Sequence, residues 1–230
     1  MSGMDNTLPD GAPEVPPSGT PPAVRAQLLA TEHWSLLASR STTQGEVLTR
    51  ISMFLTFTSA SLLSAALVGQ ATRFSDTFVM FGIVVLCLDL AIGLLTQIRV
   101  MNVGMEDLMY VIAMNRLRAA YVALDPGLAP YLMASHHDDQ AGSDQTYSFL
   151  GTDTTFRHVA GSSMTFIVAV NAGLIALLLG TVLVLPGTHP AVAVPLAAAG
   201  GLAFVAWSLA EGFKRYKSTW RSFTPISPTE

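Results

Sequence analysis

The chain has 230 residues, 50% of them hydrophobic and only 12% charged, with a mean hydropathy of +0.47. Soluble domains carry roughly 25% charge, so this composition argues against a soluble enzyme. Twelve basic residues against sixteen acidic ones give a net charge of −4, which leaves no basic surplus for phosphates and argues against nucleic acid as a partner.

Residues 1–23 hold six of the thirteen prolines and no apolar run. They can bury too little surface to offset their ordering entropy, so the segment is predicted to be disordered. It also lacks the basic start and apolar centre of a signal peptide, so the first hydrophobic segment is expected to stay in the mature protein. Residues 24–46 follow as an amphipathic helix, with Leu28, Leu29, Trp34, Leu36 and Leu37 on its apolar side.

Four segments, 51–69, 77–96, 164–185 and 191–210, have the roughly 20 apolar residues needed to cross about 30 Å of hydrocarbon as helices. Short turns at 70–76 and 186–190 join them in pairs. The predicted fold is therefore an all-α membrane protein of four transmembrane helices in two hairpins, 47–100 and 161–212, with cytoplasmic helical extensions. Between the hairpins, 101–160 is read as a cytoplasmic helix and an acidic loop. The helix covers 101–124, carries two apolar stripes, and stops at Asp125-Pro126-Gly127. Two stripes need two neighbours, and both 24–40 and a second subunit are candidates. A cytoplasmic tail, 213–230, continues the last helix until Pro225 stops it.

Orientation follows from the cations. Arg25, Arg40, Arg50, Arg99, Arg116, Arg118, Arg157, Lys214, Arg215, Lys217 and Arg221 flank the hairpins on one side, and only Arg73 lies in a hairpin turn. Eleven against one places both termini and the insert in the cytoplasm. In the tail, Lys214, Arg215, Lys217, Trp220 and Arg221 interleave cations with aromatics, suited to anionic headgroups and equally to topological anchoring.

Asp89 is the one formal charge deep in a span. Ten residues in from Arg99, it lies about 15 Å below the cytoplasmic boundary. Placing it there costs roughly 2.5–3.5 kcal/mol, so it is expected to face the bundle. The same count brings Asn171, Ser59 and Ser61 to its depth, an intramembrane polar layer able to satisfy a carboxylate or a carboxylic acid. Two roles stay open for Asp89: a proton- or cation-handling group, or polar glue that locks the bundle.

Small residues recur every fourth position at Ser61, Ala65 and Gly69, and again at Ala193, Ala197 and Gly201, which suits close helix packing. Ser52-Met53 and Ser163-Met164 match at an offset of 111, a trace of duplication or of shared apolar composition. His136, His137, Asp138, Asp139 and Asp144, with His158 downstream, are metal ligands by type. Neighbouring side chains in a loop seldom converge on one ion, so a solvated acidic loop and no metal are expected. Cys87 stands alone and lies in a span, where it acts as a small apolar filler. No phosphate loop, nucleophile elbow or His-Glu-x-x-His string is present, so neither a cofactor nor a catalytic site is expected.

Arg73-Phe74-Ser75-Asp76, with Asp89 farther along, resembles the pore-helix signature of potassium-permeable channels that carry Phe-Ser-Asp near the start of a helix. An ordinary helix cap by Ser75 or Asp76 accounts for the same residues. Glu32-His33-Trp34-Ser35-Leu36-Leu37, Met114-Asn115-Arg116-Leu117-Arg118-Ala119-Ala120-Tyr121 and Ser135-His136-His137-Asp138-Asp139 resemble strings of a family of uncharacterised integral membrane proteins of actinobacteria. That resemblance runs over about residues 28–222, implies a bacterial inner membrane and brings no activity with it. The layout of membrane hairpins with cytoplasmic helices is also similar to two-span effector domains of bacterial defence systems. The expected function is an oligomeric cation- or proton-conducting membrane protein whose partners are the lipid bilayer and its own copies. The alternative is a non-conducting scaffold or regulator that binds a protein partner through its cytoplasmic helices.

Overall fold

The structure is a computed structural model that describes residues 19–148, 162–185 and 187–229. The expectations for residues 1–18, Arg157, His158 and Pro186 fall outside the described residues. Within them the chain is helical, without strands: α1 (Pro22–Ala71), α2 (Asp76–Leu124), a 3-10 helix (Pro126–Tyr131), α3 (Gln140–Ser148), α4 (Ser163–Val184) and α5 (Pro190–Ser222). Each of α1, α2, α4 and α5 is long and apolar enough to cross a membrane.

The amphipathic segment 24–46 and the first apolar run belong to one helix, as do the second apolar run and 101–124: α1 and α2 run unbroken for 50 and 49 residues, or about 75 Å at 1.5 Å per residue. No proline stands at either junction. Extending a helix by one residue is favourable where starting a new one is not, so Gly45 alone does not interrupt α1. Ends are set by local chemistry. Arg73 and Phe74 adopt left-handed φ of 52° and 54°, a strained arrangement for residues with a Cβ. It lets the Phe74 amide donate to the Gly69 carbonyl at 2.8 Å and folds the Phe74 ring edge-on against Phe78. Ser75 then takes the N-cap position of α2, its carbonyl accepting from the Val79 amide, with Asp76 in the first turn. Ser162 caps α4 by accepting from the Thr165 amide, and Asp125 caps the 3-10 helix by accepting from Gly127.

The described residues divide between two compact units. The first draws on Met1–Ala38, Met109–Gly151 and Phe223–Glu230, the second on Ser39–Leu108 and Thr152–Ser222. In the second unit, Ile51, Phe54, Val100, Val103, Ile167 and Leu174 form the buried core. The small residues Ala193, Ala197 and Gly201 of α5 are buried, and a Cβ on Gly201 would lie 2.8 Å from the Ala172 carbonyl of α4. Absent bulk is thus what lets these two helices touch. Most of the apolar surface points the other way: only 11–28% of the most hydrophobic window of each long helix is buried. Leu63, Met80, Val84, Leu177 and Leu202 are among the exposed side chains.

In the first unit, Asn115 is a buried hub. Its amide donates to the His137 carbonyl at 2.8 Å, and its oxygen accepts from Arg118 and from the Thr146 hydroxyl. The expected solvated acidic loop is different in the structure, because residues distant in sequence come to meet it. Asp138 is fully buried and paired with Arg116 at 2.5 Å. Asp139 caps α3 through the Gly142 amide. Both carboxylates also hold the C-terminal segment: Asp138 accepts from the Ile226 and Ser227 amides, and Asp139 from the Thr229 amide and hydroxyl. Arg116 completes this clamp by donating to the Thr224 carbonyl and lying 4.9 Å from the Phe223 ring centre.

Candidate functional site

The second unit contains a buried polar seam to which all four of its long helices contribute. On α2, Asp89, Gly93 and Gln97 follow one another at single-turn spacing and so share a face. Asp89 has no exposed surface, and neither of its carboxyl oxygens has a hydrogen-bond partner among the described residues. Ser61 of α1 is the hydroxyl that bears on this carboxyl, outside hydrogen-bond geometry. One turn along α2, a Cβ on Gly93 would meet the Phe54 ring of α1 at 2.8 Å and would collide with Asn171 Oδ1 of α4. Glycine here makes room for the amide. Phe54 lies against Gly93 and Gly69 against Phe78, so one turn from the Phe54–Gly93 contact along each helix steps Thr58 toward the level of Asp89. Thr58 is buried, and its hydroxyl also has no partner among the described residues.

Asn171 is fully buried and donates through Nδ2 to Gln97 Oε1 at 2.8 Å. Gln97 in turn donates through Nε2 to Ser208 Oγ of α5 at 3.2 Å. Gln97 and Ser208 stand 111 positions apart, the same offset as the Ser52-Met53 and Ser163-Met164 match.

Of the four residues expected to form the polar layer, Asp89 and Asn171 lie in this seam, and Ser61 is partly buried beside it. Ser59 is exposed and turned away. Thr58, Gly93, Gln97 and Ser208 were not anticipated. Gln97 carried a usable signal, since it lies eight residues from Asp89 on the same helical face and just beyond the drawn end of the span.

A charged belt follows the seam along α1 and α2. Arg99 donates to Glu106 at 2.8 Å and to Glu46 at 3.1 Å, and Arg50 also reaches Glu46. These contacts, with Arg99 first, hold the Glu46 carboxyl below its usual range, while Glu46 and Glu106 raise Arg99. Farther along, Arg40 grips Asp107 through two nitrogens at 2.6 and 3.1 Å, and Gln44 donates to the same carboxylate.

The basic-aromatic set lies at the end of α5, where Lys214, Arg215, Lys217 and Arg221 are exposed and Trp220 is half-buried. Lys217 lies 4.9 Å from the Phe213 ring centre, and Arg215 pairs loosely with Glu211 at 3.5 Å. In the first unit the His136 and His137 rings lie 4.2 Å apart. Burial and the adjacent His137 keep His136 below the usual imidazole range. Among the described residues no three His, Cys, Asp or Glu side chains converge as a metal site.

Comparison with protein-family models, with curated proteins and with solved structures returns no match.

Proposed function

We propose that the chain is a multi-pass protein of the bacterial inner membrane that conducts a proton or a small cation along the Asp89 seam as an oligomer. Its four spans form two hairpins, with both termini, the insert and the helical extensions on the cytoplasmic side. The observation that carries this reading is Asp89 itself, a fully buried carboxyl in an apolar span whose oxygens have no hydrogen-bond partner among the described residues. A lone buried carboxylate is too costly to persist, so it has to be compensated by a proton or a cation. The seam then runs from Asp89 through Asn171 and Gln97 toward the Arg99 belt, a polar line from mid-span to the boundary. Outward-facing leucines and valines and the one-sided distribution of the cations support the membrane setting and its orientation. Flux into proteoliposomes tests the function. Wild type is expected to exceed empty liposomes under a Na+, K+ or pH gradient, and Asp89→Asn to lower that flux at least tenfold. Wild-type flux equal to that of empty liposomes under all three gradients refutes conduction.

A second reading, a scaffold that docks a protein partner, is favoured by one feature of the first unit. An open, largely apolar groove of about 300 Å³ is lined by Leu36, Met109, Ile112, Leu117 and Phe223, with Glu32 and Arg116 bringing charge to it. On that reading Asp89→Asn leaves function intact, and substitutions in the groove remove it.

A further inference from the structure

The Asn171 amide sits at the end of a short chain of hydrogen bonds. Ser208 accepts from Gln97 Nε2, which leaves Gln97 Oε1 as the acceptor for Asn171 Nδ2. With its NH2 group turned to Gln97, Asn171 presents its carbonyl oxygen to Gly93, one turn from Asp89, and that oxygen has no hydrogen-bond partner among the described residues. The same neighbourhood holds both Asp89 oxygens and the Thr58 hydroxyl, also without partners among the described residues, and the Ser61 hydroxyl. Three of these atoms are acceptors only when the carboxyl is ionised, and the two hydroxyls stand outside donating geometry. A buried cluster so rich in oxygen and so poor in donors matches the chemistry of a hard cation, which binds carboxylate, amide and hydroxyl oxygens. Charge decides the valence. One carboxylate in an apolar span is neutralised by one positive charge, whereas a divalent ion would leave a net charge in hydrocarbon.

We infer that Asp89, Asn171, Thr58 and Ser61 form an intramembrane binding site for a monovalent hard cation, Na+ being the natural probe, and that Gln97 and Ser208 position the Asn171 oxygen for it. This rests on the reading of Asp89 as a cation-handling group and chooses the cation over the proton. A single proton on Asp89 would supply one donor to this group of oxygens, whereas a cation is shared by all of them at once. Gln97 is a positioning residue. Without it the Asn171 amide is free to turn its NH2 group toward the site, and supporting groups of this kind are typically worth 10–100-fold in ion affinity.

The test uses the full chain in nanodiscs of zwitterionic lipid, with NaCl exchanged for choline chloride at constant ionic strength. Thermal unfolding is followed by tryptophan fluorescence. A ligand that binds only the folded state raises Tm in a concentration-dependent way. Wild-type Tm is expected to rise with Na+, Asp89→Asn to lose that rise, and Gln97→Leu to need ten- to hundredfold more Na+ for the same shift. Should Asp89→Asn fail to fold, the wild-type and Gln97→Leu titrations decide. Equal Tm in Na+ and choline, the full Na+ shift in Asp89→Asn, or an unaltered Na+ midpoint in Gln97→Leu each overturns the proposal. A Tm that follows pH and ignores Na+ overturns it too, while leaving proton conduction standing. A Na+ shift without liposome flux upholds the site and removes conduction.

Discussion

Replacing Asp138 with alanine should free the C-terminal segment from the first unit. Three of the shortest charge-assisted contacts of the fully buried carboxylate hold this segment or its anchor: Arg116 at 2.5 Å, the Ile226 amide at 2.9 Å and the Ser227 amide at 2.8 Å. Hydrogen bonds to a charged group are worth about 1.5–3 kcal/mol each, a gross sum of roughly 4.5–9 kcal/mol. Two effects reduce it. Arg116 is 36% exposed and regains water when its partner is lost, and the freed amides are solvated in the same way. About 3 kcal/mol remains, within the range for breaking a buried pair from one side. At about 1.4 kcal/mol per factor of ten, that is roughly a hundredfold change in the opening equilibrium. Amide hydrogen exchange of Ile226, Ser227 and Thr229 reads it directly. Exchange at all three should accelerate by about two powers of ten in Asp138→Ala, while the core amides of α4 stay unchanged. Unchanged protection at Ile226 and Ser227 would refute the clamp.

The same carboxylates set a pH limit. Burial pushes Asp138 up, but the Ile226 amide, Arg116 and the Ser227 amide outweigh it, so the group ends below the ordinary carboxylate range. Asp139 follows the same pattern through the Thr229 hydroxyl and the Gly142 and Thr229 amides. A lowered folded-state pKa stabilises above the unfolded value of about 3.9 and loses that contribution as pH falls through the folded value. Protection of residues 226–229, corrected for intrinsic exchange, should therefore be flat from neutral pH down to about pH 4 and fall only below it; release above pH 5 contradicts this assignment. In the second unit, Gly93→Ala forces a methyl group against the Phe54 ring and Asn171 Oδ1. A cost of about 1–3 kcal/mol is expected, read as a lower Tm in nanodiscs, and an unchanged Tm would show that the seam is looser than described.

How much of the site could be read in advance depends on which coordinate is asked for. Counting residues along a helix yields depth, because each adds 1.5 Å, and depth alone brought Asp89 and Asn171 to one level. It does not yield direction around the helix, which turns by about 100° per residue. Ser59 was selected by depth and points away, while its neighbour Thr58 is buried. The loop at Asp138 illustrates the same limit. Its charges look solvated until Arg116, 22 residues earlier, and Ser227, 89 residues later, are brought to it.

Composition and the spacing of apolar runs by themselves determined that the chain is helical, with four segments long and apolar enough to cross a membrane. They also showed that Asp89 stands where a charge needs compensation. Those properties are local: apolar length and the position of a charge within it are complete in one dimension. Tertiary structure alone decided that Gln97 and Ser208 bond in line with Asn171, and that Asp138 and Asp139 hold the C-terminal segment. Each of these depends on which side chains from distant parts of the chain meet at buried positions, where a polar group without a partner is costly and one with a partner fixes its neighbours.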